Sequence, residues 1–149
     1  MAASCCDGRT PSLCLGYEHA LVVLPPYAVA LAIIFLALSV RVIVARRTGK
    51  IGFGTGGSDD LERRVRSQAN FAEYVPLALI LLSMAELDGS PRLWLHVCCS
   101  SLLIGRLAHA IGFARPATDN IARIVGMTGS QTAIVGAALL LIWRMFAAG

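Results

Sequence analysis

The sequence predicts an all-α integral membrane protein, a four-helix up-and-down bundle, and three observations carry that prediction. Of 149 residues, 56% are hydrophobic and only 15% are charged, with a mean hydropathy of +0.69. A soluble domain of this length would need far more polar surface to cover its single core. Four apolar stretches, at 20–44, 71–87, 93–113 and 128–146, come close to the roughly 17–25 residues that cross a hydrocarbon core of about 30 Å. The basic residues collect at the ends of these stretches on alternate connections, which is a topology signal.

Taken in chain order, residues 1–16 read as an N-terminal tail and 17–149 as one domain. The tail has no basic segment leading into an apolar run, and Asp7 and Glu18 interrupt any such pattern, so no cleavable signal peptide is expected. Cys5, Cys6 and Cys14 are open to disulfide formation or lipidation, against the plainer reading of three unmodified thiols in a loose tail. Pro25 and Pro26 fall in the first turns of span one, where a missing N–H costs little. The connection "TGKIGFGTGGSDD" is a glycine-rich linker and not a phosphate loop, because no GK[ST] follows and no strand precedes it. Ser58, Asp59 or Asp60 can cap the next helix, which is expected to begin in the charged segment near Leu61. Gly89, Ser90 and Pro91 end span two and start span three as a tight antiparallel hairpin. Cys98 and Cys99 lie inside span three and read as small packing residues. Pro116 breaks the chain after span three, and Asp119 or Asn120 restarts the helix.

Arg46, Arg47, Lys50, Arg63, Arg64 and Arg66 lie between spans one and two, and Arg115 and Arg123 between spans three and four. The positive-inside rule therefore places both connections in the cytoplasm and both termini outside. The net charge of +4 follows from this arrangement. With no separate basic domain, nucleic acid is not an expected partner. No cysteine pair has histidines at metal-ligand spacing, so no metal site is expected. Nor does any break in the spans at mid-membrane suggest a transporter.

Several polar residues sit where lipid makes them costly. In "RVRSQANFAEYVP", Arg66, Asn70 and Glu73 fall at i, i+4 and i+7 and share one helix face. Arg106 and His109 stand at i and i+3 in "SSLLIGRLAHAIGF". Counting 1.5 Å per residue from the cytoplasmic ends puts Glu73 and Arg106 at similar depth, so a salt bridge between them is expected. That clamp leaves Arg66, Gln68, Asn70, His109 and the Arg46–Arg47 pair unused, a cationic excess at one end of the bundle. Such residues suit a small anionic ligand: arginines for its carboxylates, Asn70 and Gln68 for its amides, and Glu73 for an amino group. Glutathione has this chemistry, and other small acids share it.

"RVRSQANFAEYVP" resembles the signature of the MAPEG family, the membrane-associated proteins in eicosanoid and glutathione metabolism. "VIVARRTGK" is similar to the basic end of that family's first helix, and "LLIGRLAHAIGF" to its third-helix pattern. The resemblance runs from Tyr17 to Phe146 and is strongest to short bacterial members. It implies a homotrimer of four-helix subunits, with glutathione held between neighbours near the cytoplasmic face, and a bacterial inner membrane, or alternatively the endoplasmic reticulum. Carried over by position, it implies that Arg66, Asn70, Glu73 and Tyr74 hold glutathione, with Gln68, Arg106, His109 and Arg46 contributing. It implies Arg123 as the residue activating the thiol, once a few extra residues are allowed in "RPATDN", with Arg47 as the second candidate. Phe113 and Met127 stand where several members carry tyrosine, so the thiol site rests on arginine. The implied activity is a glutathione-dependent transferase or peroxidase acting on a lipophilic substrate that arrives from the membrane lipids. The alternative is a non-enzymatic lipid-binding or scaffold protein of the same fold.

Overall fold

The computed structural model describes residues 21–114 and 120–147. The tail with Cys5, Cys6 and Cys14, Arg115, Pro116, Asp119 and the side chain of Phe113 lie outside the described residues. Four helices fill the rest: α1 Leu24–Thr48, α2 Asp59–Leu87, α3 Arg92–Ala114 and α4 Asn120–Ala147. All four are long and apolar enough to cross a membrane, so the chain is an all-α membrane bundle.

The ends of the helices follow from local chemistry. Pro25 and Pro26 occupy the first turn of α1, where their missing N–H groups remove no helical bond. Ser58 caps α2, its Oγ accepting from the Leu61 N–H at 3.3 Å. At the other end of α2, Gly89 adopts φ 76°. The N–H of Gly89 donates to the Glu86 carbonyl and that of Ser90 to the Ala85 carbonyl, each at 3.0 Å. This paired closure stops a helix with glycine in the left-handed position, and it turns the chain directly into α3.

α2 is the central helix. It packs on the other three, whereas α1 reaches α2 and α3 but not α4 among the described residues. Leu31, Ala78, Leu82, Leu95, Leu102, Ala133 and Ala137 form the buried core. The closest pair is α3 with α4. A Cβ on Gly126 would sit 2.6 Å from the His109 Cβ and 2.8 Å from the Gly105 carbonyl oxygen. Glycine is therefore needed where the two backbones touch, as in other membrane helix pairs built on small residues. The Ser101 hydroxyl adds a bond to the Gly129 carbonyl at 3.0 Å. Cys98 and Cys99 are buried and unbridged in this packing. On the outside, Val29, Ile33, Leu36, Val40, Val135, Leu139 and Ile142 are exposed; so large an apolar exterior suits lipid, and a soluble monomer rarely carries one.

The candidate groove at one end of the bundle

The antiparallel course brings the end of α1, the start of α2, the end of α3 and the start of α4 to one end of the bundle. There an open groove of about 750 Å³ runs between α2 and α4, with His109 of α3 also lining it. This falls within the usual range for small-molecule sites. Arg66, Asn70 and Glu73 line it from α2, and Arg123, Met127 and Gln131 from α4. The i, i+4, i+7 spacing on α2 thus aims three polar side chains into one space, as the helical period requires.

Among the described residues, Arg66 and Glu73 form no ion pair across helices. Arg66 is 73% exposed and pairs with Glu62 one turn back at 3.0 Å. Glu73 is exposed and makes no ion pair with any described side chain. Arg123 is half-buried and His109 is buried.

The expected salt bridge between Glu73 and Arg106 does not form. Arg106 is only 1% exposed, and its Nη1 donates instead to the Asn70 Oδ1 at 2.8 Å. The Phe71 and Tyr74 rings lie over its guanidinium at 5.8 and 5.5 Å. The aromatic faces and the amide hold the cation inside the bundle through one edge, its Nε and Nη2 being buried with no hydrogen-bond partner among the described residues, and Glu73 escapes the cost of burying a carboxylate. Because Asn70 accepts through its oxygen, its NH2 is the group left for the groove. Arg106 and Tyr74 therefore stand behind the lining, and Arg106 acts on the groove through Asn70.

Other predicted residues are placed elsewhere. Gln68 turns to α1 and donates to the Ser39 Oγ at 2.9 Å. Arg46 donates to the Gly54 carbonyl at 2.8 Å, within the α1–α2 connection. Arg47 is exposed at the end of α1 and does not line the groove. Sequence reasoning missed Thr128 and Gln131, which also line it. The available signal was Gln131 itself, an amide in an apolar span.

Comparison with known proteins agrees with the fold. The sequence model of the MAPEG family matches residues 24–143, from the first turn of α1 to the last turns of α4. Inner membrane protein YecN of Escherichia coli strain K12 is 34% identical over 87 residues, which cover 58% of this chain and 66% of YecN. The same protein from Escherichia coli O6:H1 gives the same figures. With four helices in the matched segment and the signature stretch of α2 lining the groove, the chain belongs to the MAPEG family.

Proposed function

We propose that the protein is a glutathione-dependent transferase or peroxidase of a bacterial inner membrane, acting on a lipophilic electrophile or hydroperoxide. One observation carries this reading: a groove at the basic end of the bundle collects Arg66, Asn70, Glu73, His109 and Arg123 from three helices. Arg66 offers a cation to a glutathione carboxylate, the Asn70 NH2 donates to a carbonyl or carboxylate, and Glu73 accepts from the α-amino group. Arg123 is the residue for the thiol. A free thiol with a pKa near 8.5 is mostly protonated at neutral pH, and a guanidinium in a water-poor site favours the thiolate.

The thiolate then has two outcomes. Attack on an electrophilic carbon forms a C–S bond while the leaving group departs with its electron pair, or an epoxide oxygen takes up a proton. Attack on a hydroperoxide breaks the O–O bond and releases the alcohol, and a second glutathione converts the sulfenic acid to disulfide and water. The reading includes a homotrimer with both termini outside the cytoplasm. In it, a neighbouring copy supplies the Arg46–Arg47 end of α1 that one chain does not bring to its own groove.

A scaffold reading draws support from Asn70, since a signature residue is already engaged by Arg106. Calorimetry on detergent-purified protein separates the two. The enzyme reading expects saturable glutathione binding that disappears in Arg66→Ala, Asn70→Ala protein. It also expects Arg123→Ala to keep most of that affinity while turnover of a chlorodinitrobenzene falls by about 10²–10³-fold. Absence of binding at millimolar glutathione in the folded protein would leave the scaffold reading.

A further inference from the structure

We propose that the connection between α1 and α2, residues 49–58, is an interfacial anchor that seats Phe53 in the headgroup layer of anionic lipids. The proposal starts from a residue that the glutathione reading leaves unused. Phe53 is 98% exposed, more than any other large apolar side chain described. It stands between Gly52 and Gly54, where even an added Cβ would meet nothing within 4 Å.

The connection that presents Phe53 is built, and its depth is fixed. The Ile51 N–H donates to the Arg46 carbonyl at 3.0 Å and the Lys50 N–H to the Arg47 carbonyl at 3.2 Å. This is the paired closure that normally takes glycine, yet here Lys50 holds φ 52°. The Ile51 side chain packs so closely that its Cδ1 would lie 3.0 Å from a Cβ on Gly49 and 2.9 Å from one on Gly56. Arg46 then ties Gly54 back to the helix through its carbonyl at 2.8 Å. The chain on both sides of Phe53 is thus bonded to the third residue from the end of α1. Up to Val44 that span is apolar apart from Ser39 and Arg41, and Arg46 and Arg47 close it, so Phe53 is held at the depth where hydrocarbon gives way to headgroups.

Charge at this level selects the lipid. Arg47 and Lys50 are exposed. Of the nearby acids, Asp60 is held by Arg64 at 2.8 Å and Arg63 at 3.6 Å, and Glu62 by Arg66. Asp59 alone has no ion pair among the described residues, which leaves a cationic surface beside Phe53. An apolar side chain inserted next to unpaired cations is the pattern that binds negatively charged bilayer surfaces.

The test places Phe53→Trp in a Trp94→Phe, Trp143→Phe background, since both native tryptophans are exposed. The protein goes into nanodiscs of phosphatidylcholine, with or without phosphatidylglycerol, carrying lipids brominated high on the acyl chain. The expected result is blue-shifted emission, quenched by bromine and more strongly with phosphatidylglycerol. Lys50→Gln should weaken that preference roughly fivefold. Water-like, unquenched emission overturns the proposal. So does blue-shifted emission that bromine does not quench, which would mean that a second protein copy covers the residue. Equal quenching in both lipids removes the anionic preference and overturns it as stated. If the tryptophan background fails to fold, amide exchange of residues 52–54 in the unaltered protein decides: slower exchange in phosphatidylglycerol supports the anchor, and equal exchange overturns it.

Discussion

The two ends of the bundle treat charged side chains differently. At the end away from the groove they bond across helices. The Glu86 carboxylate of α2 accepts from the N–H groups of Val22 and Val23 at 2.6 and 2.5 Å and of Leu24 at 2.9 Å, satisfying donors that a helix start leaves open. The Tyr27 hydroxyl of α1 meets His96 and Ser100 of α3, each at 3.1 Å. Arg144 of α4 reaches the turn between α2 and α3 through the Asp88 carbonyl at 2.5 Å. At the groove end Arg106 and Gln68 also bond across helices, to Asn70 and Ser39, but the ion pairs among the described residues stay within one helix, as with Arg66–Glu62 and Arg64–Asp60. Glu86 and Arg144 are consumed in closing the fold, whereas the largely exposed Arg66 and Glu73 at the groove keep capacity for a ligand. That difference, more than the mere presence of charge, marks the groove as the site.

Two substitutions should separate the ends most sharply. Glu86→Ala strips the start of α1 of a charged acceptor for three N–H groups. It should cost about 2–4 kcal/mol of stability, read as a lower thermal midpoint in detergent, with glutathione affinity unchanged in the protein that remains folded. The reverse is expected of Arg106→Met. A well-packed apolar replacement for a buried charge can be nearly neutral in stability, but the Asn70 amide loses the partner that orients it. Glutathione affinity should fall by roughly 5–30-fold, the worth of one or two hydrogen bonds, while the midpoint moves little. If Arg106→Met unfolds the protein and leaves affinity intact, the guanidinium belongs to the fold alone and the contrast between the ends fails.

How much of this could be read from the sequence depends on whether the partner lies on the same helix or across the bundle. The spans, the Ser58 cap and the Gly89 turn were legible because each is decided by neighbours in sequence. The Arg66, Asn70 and Glu73 face was legible from the helical period. Gln68 could have been read correctly by the same reasoning: two residues from Arg66 it sits about 200° around α2, and the structure turns it to Ser39. Arg106 could not. Choosing Asn70 over Glu73 depends on one helical turn of depth and on the aromatic faces of Phe71 and Tyr74, which rise per residue does not resolve. Glu86 left no trace because its partners are backbone N–H groups 62 to 64 residues away, and any sequence carries those.

A smaller effect tests the open end. Arg66→Ala removes a largely exposed side chain whose described partner is a surface pair one turn away, worth about 0–1 kcal/mol. Stability should hold within about 0.5 kcal/mol, while glutathione affinity drops by about tenfold through loss of one charge-assisted bond. A midpoint shift larger than the affinity loss would reassign Arg66 to the fold and narrow the contrast.

The smallest expected effect lies at the closed end and concerns which atom of Asp88 matters. Arg144 meets Asp88 twice, through the backbone carbonyl at 2.5 Å and through the carboxylate at 3.5 Å. Both residues are partly exposed, so the ion pair is screened and weak, while the bond to the carbonyl joins α4 to the turn whatever side chain stands at position 88. Arg144→Ala should therefore cost about 0.5–1.5 kcal/mol, and Asp88→Ala distinctly less. The double variant should be no less stable than Arg144→Ala alone, since without the arginine the carboxylate has nothing left to contribute. Equal losses in the two single variants, abolished together by raised salt, would mean that the carboxylate makes the link. The closed end would then hold one more exposed ion pair of the kind found at the groove.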